Sequence, residues 1–268
     1  MAESTSKRKR ISEAGTRAAM ASLDKHAEFT TWAQDQGVDI NGVKAAHIRG
    51  RGIGIETTKR IKAGTRLLFI PEKAMFKPDA KLLRRQQLRA TSPQAQLAIT
   101  ALLKFREHSK LWQSVLPTYN DFEQSMPTLW PTSIRKHFPP GIQQPLERLE
   151  ADYERDLAAV QQLLNKIQVD EQDFQYWWLI VNSRSFHWKS PKSRAGTMVL
   201  CPFIDYMNHA PTGNTCLVNM TDDGYEVIAN RDYGKFLLLY HISLKSHVHF
   251  PQLSHSIYCQ TCAFGDRL

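Results

Sequence analysis

Three separated segments hold residues whose types could do chemistry together. The first, Arg51-Gly52-Ile53-Gly54, sets two glycines one residue apart. Without a Cβ, the backbone amides and carbonyls there can approach a ligand closely. Taken alone, Gly-x-Gly after a strand reads as a tight turn; it is neither a dinucleotide fingerprint nor a P-loop, because the third Gly and the Gly-Lys-Ser/Thr ending are missing. The second segment, Trp177 to Phe186, is an apolar helix that ends in Asn182, Ser183 and Arg184. An arginine delivered by a rigid helix end can hold a carboxylate through two charge-assisted hydrogen bonds, although in isolation such a segment is a core helix with a polar end. In the third, Val199 to His209, an apolar strand runs into Asp205, Tyr206, Asn208 and His209. Asn and His side chains can pair with backbone groups and with an adenine edge, whereas an isolated Asn-His pair is ordinary turn chemistry. No second ligand stands at a metal-binding spacing from His209, so no metal is expected.

These segments need elements to position them. Phe29, Trp32 and Ala33 fall at helical spacing between His26 and Gln36, and Gly37 supplies the stop. Residues 43–48 and 66–70 read as strands around the Gly-rich segment, with a turn at Ala63-Gly64. From about Pro93 to Phe186 apolar positions recur every three or four residues, and prolines at 127, 131, 139 and 140 divide this stretch into several helices. Short β-type runs return at 197–200, 215–219 and 225–229. The order implies a β domain split by a helical insertion.

Composition sets the outer limits. A chain of 268 residues that is 42% apolar can bury one good core, or a domain with a large insertion. The net charge of +9 attracts acidic surfaces but is too diffuse to define a nucleic-acid site, and no specific nucleic acid is expected. No apolar run reaches the roughly 18 residues of a membrane span, and the basic N-terminus lacks the apolar stretch of a secretory signal. An intracellular protein, nuclear or cytoplasmic and monomeric, is expected. Cys201, Cys216, Cys259 and Cys262 suit a reducing compartment. Residues 1–24 are polar and basic and read as a disordered tail, within which Lys7-Arg8-Lys9-Arg10 is a candidate nuclear-import signal or simply a solvated run.

The order RGIG, NSRSF and PFIDYMNH, with helices between the first two, resembles SET-domain protein methyltransferases of the Rubisco large-subunit methyltransferase class, which includes the actin-histidine methyltransferase. The resemblance covers roughly residues 26–233. It implies an α+β fold, a SET domain of small β-sheets around a knot-like core, split by a helical insertion. The domain would span 25–233 and the insertion about 79–176. It also implies S-adenosylmethionine as cofactor and a protein substrate, with transfer to a lysine or possibly a histidine nitrogen. By resemblance the backbone of Arg51, Gly52 and Ile53 lines the cofactor methionine and Arg184 holds its carboxylate. Asn208 and His209 contact the adenine and amino groups, and Asp205, counted with the cofactor-binding residues, and Tyr206 shape the loop that becomes part of the knot-like core.

After Tyr233 the chain departs from the family, which continues with a Gly-Glu-Glu turn, a strand and a Tyr-Gly pair. Residues 234–268 instead read as an atypical tail, and the catalytic tyrosine is not recognised; Tyr240 is a candidate at shorter spacing. This tail also holds His241, His247, His249, His255, Cys259 and Cys262, which lack a second well-spaced ligand pair for zinc. Loss of the closing strand would leave apolar groups near Phe203 and Val227 uncovered, so a catalytically inactive SET-derived binding module is the alternative.

Overall fold

The computed structural model describes residues 25–48, 52–189, 196–209 and 216–241. Arg51, the basic run at Lys7–Arg10, and the tail residues His247, His249, His255, Cys259 and Cys262 lie outside the described residues. A first helix, α1 (25–35), ends before Gly37, as its apolar spacing predicts. Then come β1 (Asp39–Ile40), β2 (Val43–Ile48), β3 (Gly52–Thr57) and β4 (Arg66–Pro71). The helical block comprises α2 (Ala80–Arg85), α3 (Pro93–His108), α4 (Lys110–Val115), α5 (Tyr119–Ser125), α6 (Thr132–Arg135), α7 (Pro140–Ile167) and α8 (Glu171–Arg184). The chain returns to β structure with β5 (Ser185–Trp188), β6 (Thr197–Leu200), β7 (Asn208–His209), β8 (Leu217–Met220), β9 (Gly224–Ile228) and β10 (Leu238–His241).

The helical block is assembled from separately capped pieces. Ser92 caps α3 ahead of Pro93, Asp79 accepts from the Lys81 and Leu82 amides of α2, and Thr118 and Asp121 form a reciprocal capping box on α5. At the centre α8 buries Phe174, Trp177, Trp178, Leu179, Ile180 and Val181, so it is enclosed on more than one side, between α3 and α7. One polar bond locks α7 to α8: the Trp178 indole Nε1 donates to Oδ2 of the buried Asp156 at 3.0 Å. A helix held this tightly ends at a defined place.

Among the described residues one sheet has the order β1-β4-β9-β8 and another β2-β3-β10-β7, while β5 and β6 pair as a two-stranded ribbon. Two expectations are corrected here. Gly52 and Gly54 are strand residues of β3, opposite Ile48 and Ala46, rather than a tight turn; periodicity missed this strand because a segment with so much glycine carries little apolar alternation. The closing strand is also present: β10 runs antiparallel to β3 and parallel to β7. It was illegible because its residues do not match the family's pattern, whereas ladder hydrogen bonding uses backbone groups alone.

Thr57 holds the turn that admits β10. Its hydroxyl is fully buried, donates to the Gly234 carbonyl at 2.7 Å and accepts from the Leu237 amide at 3.0 Å. Phe236, 62% exposed, sits in this turn at φ +63°, the left-handed region glycine favours. At the other end of the chain, His26 of α1 is buried against Tyr206, and burial first, then the Lys25 charge, hold its pKa down at about 4.

Thr57→Val is therefore expected to lose about 1–3 kcal/mol by stranding two backbone groups, and Phe236→Gly to gain roughly 0.5–1 kcal/mol by relieving the backbone, both read from urea midpoints. Equal midpoints for all three proteins would mean that β10 is not docked. Because the folded pKa of His26 lies below its usual 6.5, its contribution is complete above about pH 6.5 and lost as pH falls toward 4. The loss reaches up to about 3 kcal/mol. His26→Gln should flatten that part of the stability–pH curve.

Candidate functional site

Arg184 is the last residue of α8, and Ser185 is already extended at φ −88°, ψ 158°. The chain leaves the helix directly into β5, which pairs Ser185 with Leu200, Phe186 with Val199, His187 with Met198 and Trp188 with Thr197. This register brings the end of β6 back to the end of α8. Asp205, five residues beyond Leu200, then meets the guanidinium: Arg184 Nη1 donates to Asp205 Oδ2 at 2.8 Å. The Asp205 side chain is 9% exposed and that of Arg184 28%, so the ion pair is partly withdrawn from water.

Between Leu200 and Asp205 the chain makes an uncommon turn. The Ile204 amide donates to the Pro202 carbonyl at 2.9 Å, with Phe203 between them at φ 71°, ψ −40°. A γ-turn with a positive φ at a non-glycine residue costs about 1–3 kcal/mol and persists only where surrounding packing imposes it. Phe203 is fully buried, and its ring meets Tyr206 edge-on at 5.4 Å. After this turn a short 3₁₀ helix, Ile204–Tyr206, packs on β3 and leads into β7.

Asn208, in β7, faces β3. A Cβ built on Gly54 would lie 2.6 Å from Asn208 Nδ2 and 2.1 Å from Ile48 Cδ1, so the absence of a side chain at 54 admits the amide. Among the described residues Asn208 Nδ2 is buried and has no hydrogen-bond partner. A buried amide N–H without an acceptor is costly unless a ligand supplies one. Gly52 differs: at φ +73° it is exposed, with nothing within 4 Å of a built Cβ, and it leaves an open approach to the strand's start. Ile53 is half-buried opposite His47.

The structure thus joins Arg184 to Asp205, packs the Ile204–Tyr206 turn on β3, and sets Asn208 against Gly54 of the strand that also holds Gly52 and Ile53. The backbone of His209 follows in β7, opposite His241, while Tyr240 pairs with Asn208. Two contributors escaped the motif reading. Ile48 walls the Asn208 amide, and His26 reaches Tyr206 from far off in sequence; neither carries a local signal. Nearby ionisable groups stay neutral: burial pushes the Cys201 thiol and the Tyr206 phenol well up, and the Asp205 charge adds to both. Among the described residues no group of His, Cys, Asp or Glu side chains could hold a metal ion, and no helix is long and apolar enough to cross a membrane.

The donor set suits a ligand with a carboxylate at one end and a hydrogen-bond acceptor at the other: a guanidinium steadied by an acid, an amide lacking an acceptor, and a glycine strand that permits close approach. No family model matches the chain. Solved structures do resemble it. The SET domain of LSMT bound to lysine and AdoHcy superposes with a TM-score of 0.63 at 18% identity, over 84% of this chain and 54% of that one. Rubisco LSMT bound to AdoMet gives 0.63 at 19%, over 87% and 55%. A ribosomal lysine N-methyltransferase of Schizosaccharomyces pombe, set11, is 33% identical over 60 residues, which are 22% of this chain and 16% of the yeast protein. The chain therefore matches about half the length of those solved relatives and a smaller part of the yeast enzyme. With its split β-structure, its helical insertion and this superposition, the chain has the SET-domain fold.

Proposed function

We propose that the chain binds S-adenosylmethionine and belongs to a protein N-methyltransferase acting on a lysine side chain, with histidine as the alternative acceptor. The observation that carries this reading is the buried Asn208 amide, unpartnered at Nδ2 and set against Gly54 on the loop whose Asp205 engages Arg184. The solved neighbours bound to AdoMet or AdoHcy support it at the level of fold.

When bound, the cofactor supplies an electrophilic methyl group on a sulfonium. The protein's own groups orient it. Arg184, held by Asp205, takes the methionine carboxylate; the backbone of Gly52 and Ile53, with Arg51 ahead of them, borders the methionine chain; Asn208 and the His209 backbone hold the adenine and amino groups. Transfer needs a neutral acceptor nitrogen aligned with the methyl, so the site must strip water from a lysine or imidazole and fix its approach. Tyr240, in register beside Asn208, is the candidate for the family's tyrosine. The chain's departure from the Gly-Glu-Glu and Tyr-Gly pattern favours the second reading, a SET scaffold that binds but turns over poorly.

Calorimetry tests the cofactor site. Asn208→Ala should weaken S-adenosylmethionine binding by about 1–3 kcal/mol. Gly54→Ala should give a similar loss by displacing the same amide, so the double variant should lose little more than either single one. Full additivity would separate the two residues. Arg184→Ala should cost the cofactor more affinity than it costs a decarboxylated analogue, and should also destabilise the fold by roughly 3–5 kcal/mol, because Asp205 is left buried and uncompensated. Equal affinity losses for both ligands would remove Arg184 from the carboxylate. Transfer of labelled methyl to a protein lysine decides between the readings: turnover slower than that of a chimera with a family-type ending favours the binding module, and equal turnover makes β10 a working substitute.

A further inference from the structure

We propose that His26 on α1 is a positioning residue for this site, acting through the Tyr206 hydroxyl to fix the loop that presents Asp205 and Asn208. The inference rests on the cofactor reading above and extends it to a helix that none of the three motifs includes. His26 Nδ1 lies 2.7 Å from the Tyr206 hydroxyl, across 180 positions of sequence. His26 is 6% exposed and Tyr206 5%, and the rings meet edge-on at 5.4 Å. Phe29, one turn further along α1, meets the same tyrosine edge-on at 5.7 Å.

The loop is held by three elements in succession. Asp205 is bonded to Arg184 of α8, Tyr206 to His26 of α1, and Asn208 rests against Gly54 of β3. Because the turn at Phe203 is strained, its conformation comes from such contacts and not from local preference. Releasing Tyr206 frees the segment between Asp205 and Asn208, the two residues that the cofactor reading sets at the ligand. The bond itself is between neutral groups: burial and the Lys25 charge hold His26 neutral, while burial and the Asp205 charge hold Tyr206 protonated. Among the described residues, Lys25, Asp205 and Arg184 are the charged groups that act on the pair. A hydrogen bond between two buried neutral groups, both distant from solvent, has directional value that a surface contact lacks.

The test uses the full chain and two readouts. Tyr206→Phe removes the hydroxyl and keeps the ring, His26→Ala removes the partner, and His26→Gln restores a polar side chain at that place. Thr118→Ala, which removes the capping box of α5 away from the three motifs, serves as a control for lowered stability. By calorimetry Tyr206→Phe and His26→Ala should each weaken S-adenosylmethionine binding about tenfold, the scale on which outer-shell partners act. The double variant should match either single one within about twofold. His26→Gln should recover most of the loss, and Thr118→Ala should lower the unfolding midpoint without changing affinity. Without ligand, hydrogen exchange of the amides of residues 203–209 should quicken about tenfold in Tyr206→Phe and His26→Ala, with α8 unchanged. Unchanged exchange in both variants overturns the proposal, as does faster exchange with wild-type affinity. If the wild-type chain binds no S-adenosylmethionine, the cofactor reading fails by itself, and the exchange rates alone then decide whether His26 holds the loop.

Discussion

The half-buried pair of Arg184 and Asp205 is the constraint around which the other parts are arranged. A guanidinium and a carboxylate withdrawn from water stabilise each other only if their geometry is kept, and neither residue belongs to an element that could keep it alone. Arg184 is fixed because α8 is buried at Phe174 and from Trp177 to Val181 and is locked to α7 through Trp178 and Asp156. Asp205 is fixed because β6 returns antiparallel along β5 and the chain then turns sharply at Phe203. The helical insertion therefore does more than interrupt a β domain. It supplies the rigid rod whose end carries the cation.

From that pair the rest of the site follows in chain order. Three residues beyond Asp205 the amide of Asn208 comes against β3, where only glycine at 54 leaves room for it. β10 then fills the place between β3 and β7, so each of these strands gains a backbone partner. The tail's unfamiliar side chains do not prevent this, because Thr57 recruits the turn through the backbone of Gly234 and Leu237. What side chains decide is chemistry, and there the tail departs from the family's pattern.

Much of this was legible beforehand, for identifiable reasons. Helical spacing survives in α1 and α7 because each buries apolar residues at a regular period, α8 shows as an apolar run, and β2 and β4 announce themselves by short apolar runs between turn residues. Arg184, Asp205 and Asn208 stood out because polar groups follow apolar stretches there. Other features had no local signature. β3 is rich in glycine, and β10 lacks the expected motif. The 2.7 Å contact of His26 with Tyr206 and the wall that Ile48 makes for Asn208 depend on pairings between distant segments. The positive φ of Phe203 is imposed by packing and so is invisible to residue preference, which would place glycine there.

The central claim is that Gly54, Arg184 and Asn208 form one ligand site. Titrating S-adenosylmethionine into isotope-labelled protein, while following the Gly54 backbone amide, the Arg184 side chain and the Asn208 side-chain amide by nuclear magnetic resonance, addresses it most directly. The account predicts that all three resonances move together and saturate with one dissociation constant in the micromolar range, on the order of −8 kcal/mol. Resonances that stay in place at millimolar ligand, or that saturate at different concentrations, would contradict it.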